Sequence, residues 1–189
     1  MNIANFKLRG HRVGLLVLTA LILAVLVGSA LAAGKLVKNG SFERDNNGDG
    51  LPNKWAGGGL TAADKRVCNK SYGGSCSFKM VGDDTYKLLT QDIALSGLAG
   101  DEFTLSAWTK GKNIVDGGGY AAFNVGFNHT AGGGSFQWVD AMPEGSSPWT
   151  LRQLPVTAPE NYDSMVVTLV VVIDSGKVWF DKVIVAPVP

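Results

Sequence analysis

From Leu36 onward the chain alternates apolar and polar positions with a period of two, in short runs rich in β-branched and aromatic residues. Clusters of Gly, Asn, Asp and Pro separate the runs. Such alternation sends one side of each run into a core and the other toward solvent, as half-buried strands require. The runs predict strands at Leu36–Phe42, Lys65–Cys68, Ser75–Val81, Lys87–Leu95, Glu102–Lys110, Tyr120–Asn128, Gly134–Ala141, Thr150–Thr157, Met165–Asp174 and Val178–Val185. Helical periodicity is hard to find after Ala33. Many short strands at such intervals predict an all-β fold, two antiparallel sheets packed as a sandwich around one core. The Gly-rich loops Asp116–Gly119 and Thr130–Gly134 read as hairpin tips, because neither leads into a helix nor ends in Gly-Lys-Ser/Thr as a phosphate cradle would.

Alternation also assigns faces. Phe103, Leu105 and Ala107 form a core set, which turns Ser106, Trp108 and Lys110 the other way. Ala121, Phe123, Val125 and Phe127 form another, leaving Tyr120, Asn124 and Asn128 on the opposite face. Over Ser135–Asp140 the pattern is ambiguous: either Phe136 and Trp138 or Gln137 and Val139 face inward. If these segments share a sheet, its outer face mixes Trp and Tyr with amides. Pyranose rings present apolar C–H faces that stack on aromatics, while their hydroxyls need amide partners. The expected ligand face is therefore Trp108, Tyr120, Asn124 and Asn128, with Gln137 and Trp138 beside them. The alternative is that Trp108 and Tyr120 are covered by a loop. Trp55, Trp149 and Trp179 are assigned to core or strand-edge packing.

The N-terminus reads differently. Lys7, Arg9, His11 and Arg12 precede an apolar stretch from Val13 to Val27, and Ala30-Leu31-Ala32 has the small-x-small form of a signal-peptidase site. Residues 1–32 are read as a cleaved export signal, 33–189 as a single secreted domain with no membrane contact after cleavage. An uncleaved membrane anchor is the alternative.

Composition narrows the chemistry. Lys plus Arg number 17 against 16 for Asp plus Glu, a net charge of +1 that does not suit a nucleic-acid binder. Lys7, Arg9 and Arg12 leave with the signal, so 14 basic residues then face 16 acidic ones. Cys68 and Cys76, close in sequence in an exported chain, are expected to form a disulfide. With one distant histidine they cannot complete a zinc site.

Three stretches carry a family resemblance. Leu36-Val37-Lys38-Asn39-Gly40-Ser41-Phe42-Glu43 leads through Asp45-Asn46-Asn47-Gly48-Asp49-Gly50-Leu51-Pro52 to Trp55. Leu89-Thr90-Gln91-Asp92-Ile93 leads to Phe103-Thr104-Leu105-Ser106-Ala107-Trp108, and the chain closes on Gly176-Lys177-Val178-Trp179-Phe180-Asp181-Lys182-Val183. Together they resemble carbohydrate-binding modules of families four, nine, sixteen and twenty-two, in family order. The resemblance implies a jelly-roll sandwich of galactose-binding-like topology. It also implies a structural calcium held by Glu43 and Asp181 with backbone carbonyls, a hard-oxygen site. Lys182 stands where relatives often have a second acid. The bland alternative is that Glu43 and Asp181 accept hydrogen bonds from turn amides.

Asp45, Asn47, Asp49 and Gly50 match the start of an EF-hand-like loop, a weaker calcium candidate, but Ala56 occupies the position of the bidentate glutamate. An Asn/Asp/Gly turn bonding its own backbone explains the same residues.

No catalytic constellation is legible. Glycosidases need two facing carboxylates, yet the acidic residues fall mostly in turns, and Asp140 after Trp138 has no evident partner. A serine triad would need His129, which lacks a nucleophile-elbow context. The expected function is non-catalytic binding of polysaccharide or glycan by a monomer. A structural or adhesive surface protein is the second reading, and a glycoside hydrolase with an unrecognised carboxylate pair the third.

Overall fold

The computed structural model describes residues 35–140 and 142–189. The export signal expected over residues 1–32 and the end of the strand expected at Ala141 lie outside the described residues. The described chain contains ten strands and no helix: β1 (Ala56–Gly58), β2 (Lys65–Val67), β3 (Ser77–Val81), β4 (Lys87–Ile93), β5 (Glu102–Val115), β6 (Tyr120–His129), β7 (Gly134–Asp140), β8 (Gly145–Thr157), β9 (Tyr162–Val172) and β10 (Ser175–Pro187). They form two five-stranded antiparallel sheets, a front sheet in the order β1-β4-β9-β6-β7 and a back sheet in the order β2-β3-β10-β5-β8. This is the jelly-roll sandwich.

Each strand gives one side to the space between the sheets. Leu89, Phe123, Val125, Val167 and Leu169 of the front sheet meet Phe78, Met80, Leu105, Phe180 and Val185 of the back sheet in one core. Phe103, Phe127 and Tyr162 meet toward one end of it, with ring centroids 5.1–6.4 Å apart. Burying each such ring contributes roughly 1.5–3 kcal/mol relative to exposure.

Two polar side chains also point inward. Gln91 bonds both backbone groups of Lys38, accepting from its N–H at 2.6 Å and donating to its carbonyl at 2.8 Å, and so ties the N-terminal segment to β4. Lys87 is wholly buried because the β4 alternation that buries Leu89 and Ile93 buries it too. Its ammonium lies 3.0 Å from Asp64 and 2.8 Å from Asp83, and donates to the Val81 carbonyl.

The structure departs from the expected elements at both kinds of boundary. Leu36–Phe42 is not a strand: Asn39 and Phe42 adopt positive φ (50° and 57°), and the Phe42 N–H closes a turn on the Asn39 carbonyl. Gly40 is obligatory there, since a Cβ would lie 2.1 Å from the Val183 carbonyl oxygen. β1, short and made of Ala-Gly-Gly, gave no alternation to read. β5, β8 and β10 run longer than the apolar runs suggest, because their ends continue to pair with one another past those runs.

Removing one partner of a buried ion pair leaves an uncompensated charge. Lys87→Ala is expected to lower the urea-derived stability by about 3–5 kcal/mol. Burial opposes ionisation of Asp64, but the amides of Thr61 and Val81, Lys87 and the Thr61 hydroxyl outweigh it and hold its pKa below the ordinary carboxylate value. The stability it contributes is present above its unfolded pKa and lost as pH falls through the lower folded value. Acid unfolding of wild type below about pH 4 should show this loss, and Asp64→Asn should blunt it.

Candidate functional site

The outer face of the front sheet follows from register, because directly paired residues share a face. Asn124 pairs with Trp138 on one side and Thr168 on the other, Gly126 with Phe136, Asn128 with Gly134 and Ser164, and Ala122 with Asp140. The β7 ambiguity resolves here: Phe136 and Trp138 point outward. Tyr120 opens β6, and Tyr86 immediately precedes β4. Four aromatic side chains thus stand on one face, with exposures of 38% for Tyr120, 46% for Trp138, 53% for Tyr86 and 55% for Phe136.

Their arrangement is built rather than scattered. Tyr120 and Trp138 meet edge to face at 6.1 Å and 89°, and Phe136 lies 6.4 Å from Trp138. Burial first, then the Tyr86 hydroxyl that hydrogen-bonds it, raises the Tyr120 pKa. Phe136 settles over Gly126, where a Cβ would come within 2.6 Å of its ring. Tyr120, Ala122, Trp138 and Asp140 enclose a shallow hollow of about 320 Å³. At Tyr120 and Asp140 it meets a cleft of about 480 Å³ bordered by Met142, Pro143 and Arg152. The Arg152 Nε has no hydrogen-bond partner, and neither has the buried Asn124 Oδ1 at the centre of the face. A face with exposed stacking rings and the Asp140 carboxylate at their edge can hold a hydroxylated ring.

Two expected members stand elsewhere, and a third is already bonded. Trp108 belongs to β5 in the back sheet, so it does not share a face with Tyr120, Asn124 and Asn128. It is also covered: Tyr72 stacks on it with centroids 3.4 Å apart and planes 10° from parallel. Gln137 faces inward, bridging the two sheets by donating to the Thr157 carbonyl at 2.6 Å and accepting from its N–H. Asn128 reaches the outer face but donates to the Ser164 hydroxyl. Tyr86 was missed because it lies just before its strand. Of the other tryptophans, Trp55 is buried and bonds the Asn39 carbonyl, Trp149 lies edge-on to Tyr72, and Trp179 is buried on the outer side of the back sheet.

The calcium expectations meet a different geometry. Asp181 Oδ2 accepts the N–H groups of Tyr72 and Gly73, and its Oδ1 that of Lys182. Glu43 Oε1 accepts those of Ser75 and Cys76. Five amides thus clasp the two carboxylates and fasten the loop closed by the Cys68–Cys76 disulfide. Burial first, with Glu43 adding to it, raises the Asp181 pKa although three amides oppose. Carboxylates turned to N–H donors do not fit a hard-oxygen calcium cage, and Lys182 sets its ammonium 5.3 Å from the Tyr72 ring. Asp45 caps Gly48 and Gly50, while Asp49 caps Leu51 and accepts from Asn47. That is turn chemistry. Among the described residues no group of three or more His, Cys, Asp or Glu side chains could hold a metal ion.

One triad-like contact exists. His129 Nε2 lies 3.0 Å from the Ser135 hydroxyl and its Nδ1 3.6 Å from Glu160. Ser135 pairs with Phe127, shares its inward face and is partly buried. The contact ties the Gly-rich turn to the sandwich.

Comparison with known proteins shows the fold. No family model matches the chain, and no curated protein matches its sequence. Among solved structures, the second family 16 carbohydrate-binding module is 21% identical over 79% of this chain and 98% of its own, with a TM-score of 0.59. The CBM22-1 xylan-binding domain of Paenibacillus barcinonensis Xyn10C is 17% identical over 83% and 96%, with a TM-score of 0.57. TmCBM61, solved with β-1,4-galactotriose, is 14% identical over 81% and 98%, with a TM-score of 0.55.

The clasped loop makes a stability prediction. Closing a loop of this length contributes roughly 2–3 kcal/mol, so Cys68→Ser/Cys76→Ser should lower the unfolding free energy by about that much. Denaturant titration checks it. The chain that the comparisons place beside these modules has their jelly-roll fold.

Proposed function

We propose that the protein is a secreted, non-catalytic module that binds polysaccharide on the outer face of the front sheet. The observation that carries the reading is the set of four exposed aromatics, Tyr86, Tyr120, Phe136 and Trp138, standing on one face around the buried Asn124. Soluble domains rarely leave such a set uncovered without a ligand. The fold shared with polysaccharide-binding modules supports it, as do the export-type N-terminus and the disulfide. Trp138 and Tyr120, set at right angles, would hold one sugar ring between a floor and a wall. Phe136 would stack on the next. Asp140 would accept from hydroxyls, and Arg152 would donate to them at the cleft.

We propose also that the amide clasp stands in for the calcium of related modules. The five amides that occupy the carboxylates support this.

Titration against neutral xylan, galactan and glucan tests the first reading. Trp138→Ala is expected to weaken the best ligand about tenfold, corresponding to ~1.4 kcal/mol of stacking, with little change in thermal midpoint. Gln137→Ala should do the reverse, lowering stability and sparing affinity. Affinity untouched by Trp138→Ala, or no retention on any polysaccharide, would sink the assignment. For the clasp, the thermal midpoint should be the same in chelator and in millimolar calcium. A site saturated a hundredfold would add ~2.7 kcal/mol, a shift of several degrees.

A further inference from the structure

The outer face of the back sheet carries a different chemistry. Register sets Lys65 of β2, Lys79 of β3, Trp179 of β10 and Lys110 of β5 side by side in one row. One row along, Lys177 of β10 pairs with Lys112 of β5. At the usual strand spacing the first row spans about 14 Å. Lys70 adds a further ammonium 4.6 Å above the Trp179 ring. Six lysines therefore crowd one face of a domain whose described residues hold 14 basic and 16 acidic side chains.

None of the six is ion-paired. Among the described residues the salt bridges involve only Lys87 and His129. The lysines instead oppose one another: burial first, then Lys177 and Lys65, depress the Lys79 pKa, against a smaller contribution from Asp64, which Lys87 already pairs. An array of like charges that no salt bridge neutralises is undercompensated, and an external polyanion relieves it.

The neighbours of the array narrow the partner. Tyr72, 42% exposed, stands next to it on the Asp181–Trp108 row, its ring stacked on Trp108 with the Lys182 ammonium 5.3 Å from it, so only its edge meets solvent. Trp179 is sealed beneath the lysines, at 4% exposure, so the array itself has no platform on which bases could stack. No arginine belongs to it, and lysine acts as a point charge without the fork that reads phosphate. A flat sheet face has nothing to insert into a groove.

We propose that this face is a second ligand surface and binds an acidic polysaccharide, a chain whose sugar rings carry carboxylates, through the lysine array with the exposed edge of Tyr72 beside it. The surface lies on the other sheet from the neutral-sugar face and uses none of its residues, so the two readings stand or fall separately.

Isothermal titration of the intact chain against polygalacturonate, with neutral xylan and duplex DNA as parallel probes, tests it. The expected result is binding of polygalacturonate at low ionic strength that weakens as salt rises. Lys79→Gln/Lys110→Gln/Lys177→Gln should weaken it at least about tenfold and leave the thermal midpoint and any xylan affinity unchanged. Should that variant fail to fold, Lys65→Gln and Lys112→Gln, both at exposed positions, should each weaken polygalacturonate binding on their own. Polygalacturonate binding with no xylan binding supports this proposal and counts only against the front-sheet reading. No polygalacturonate binding, binding that the lysine variants leave intact, or duplex DNA bound as tightly overturns it.

Discussion

The pleat of the strands is the constraint on which everything else rests. In a sandwich each strand must give every second side chain to the space between the sheets, and a shift of one residue would exchange the two sets. Leu89, Phe123, Leu105 and Phe180 fix that choice in the central strands. Once they do, the remaining positions are assigned whether or not they suit solvent. Lys87 falls on the inward side and is kept there because two carboxylates and the Val81 carbonyl meet it. Phe136, Trp138 and Tyr120 fall on the outward side and stay uncovered. The outer faces of the sheets thus carry unlike chemistries, one aromatic and amide-bearing, the other cationic.

Fold class was legible because alternation is a local property. The inward sets of β5 and β6 were read residue by residue from their own strands and appear in the core as expected. What alternation cannot say is which strand lies beside which. Trp108 and Tyr120 each point outward from their strands, as the pattern requires, but the short turn Asp116–Gly119 carries the chain from one sheet to the other, so β5 and β6 are not neighbours. The proposed grouping of Trp108 with Tyr120 failed at that step. Gln137 failed for a related reason: on an edge strand with alternating aromatic and polar residues both phases look plausible, and pairing with β6 and the bonds to Thr157 of β8 decide.

The motif-derived residues tell a further lesson. Glu43 and Asp181 do come together, as resemblance to calcium-holding modules implied, and Glu43 contributes to the raised Asp181 pKa. The sequence could not show that the loop between the cysteines would turn its backbone amides onto them. That depends on Gly73 and Gly74 letting the chain pass close, since a Cβ at Gly74 would lie 2.2 Å from Glu43 Oε1. Similar carboxylates can therefore serve a cation or an amide nest, and the intervening loop decides which.

Gly126 has an effect beyond its own position. By leaving the centre of β6 without a side chain, it lets the Phe136 ring recline across the strand, where a Cβ would come within 2.6 Å of it. The ring's height above the sheet is thus set by an absent methyl group on a neighbouring strand. Alanine in its place would lift the ring and turn a level floor into a ridge, changing the contour along which an extended polymer could lie without altering one group that touches it.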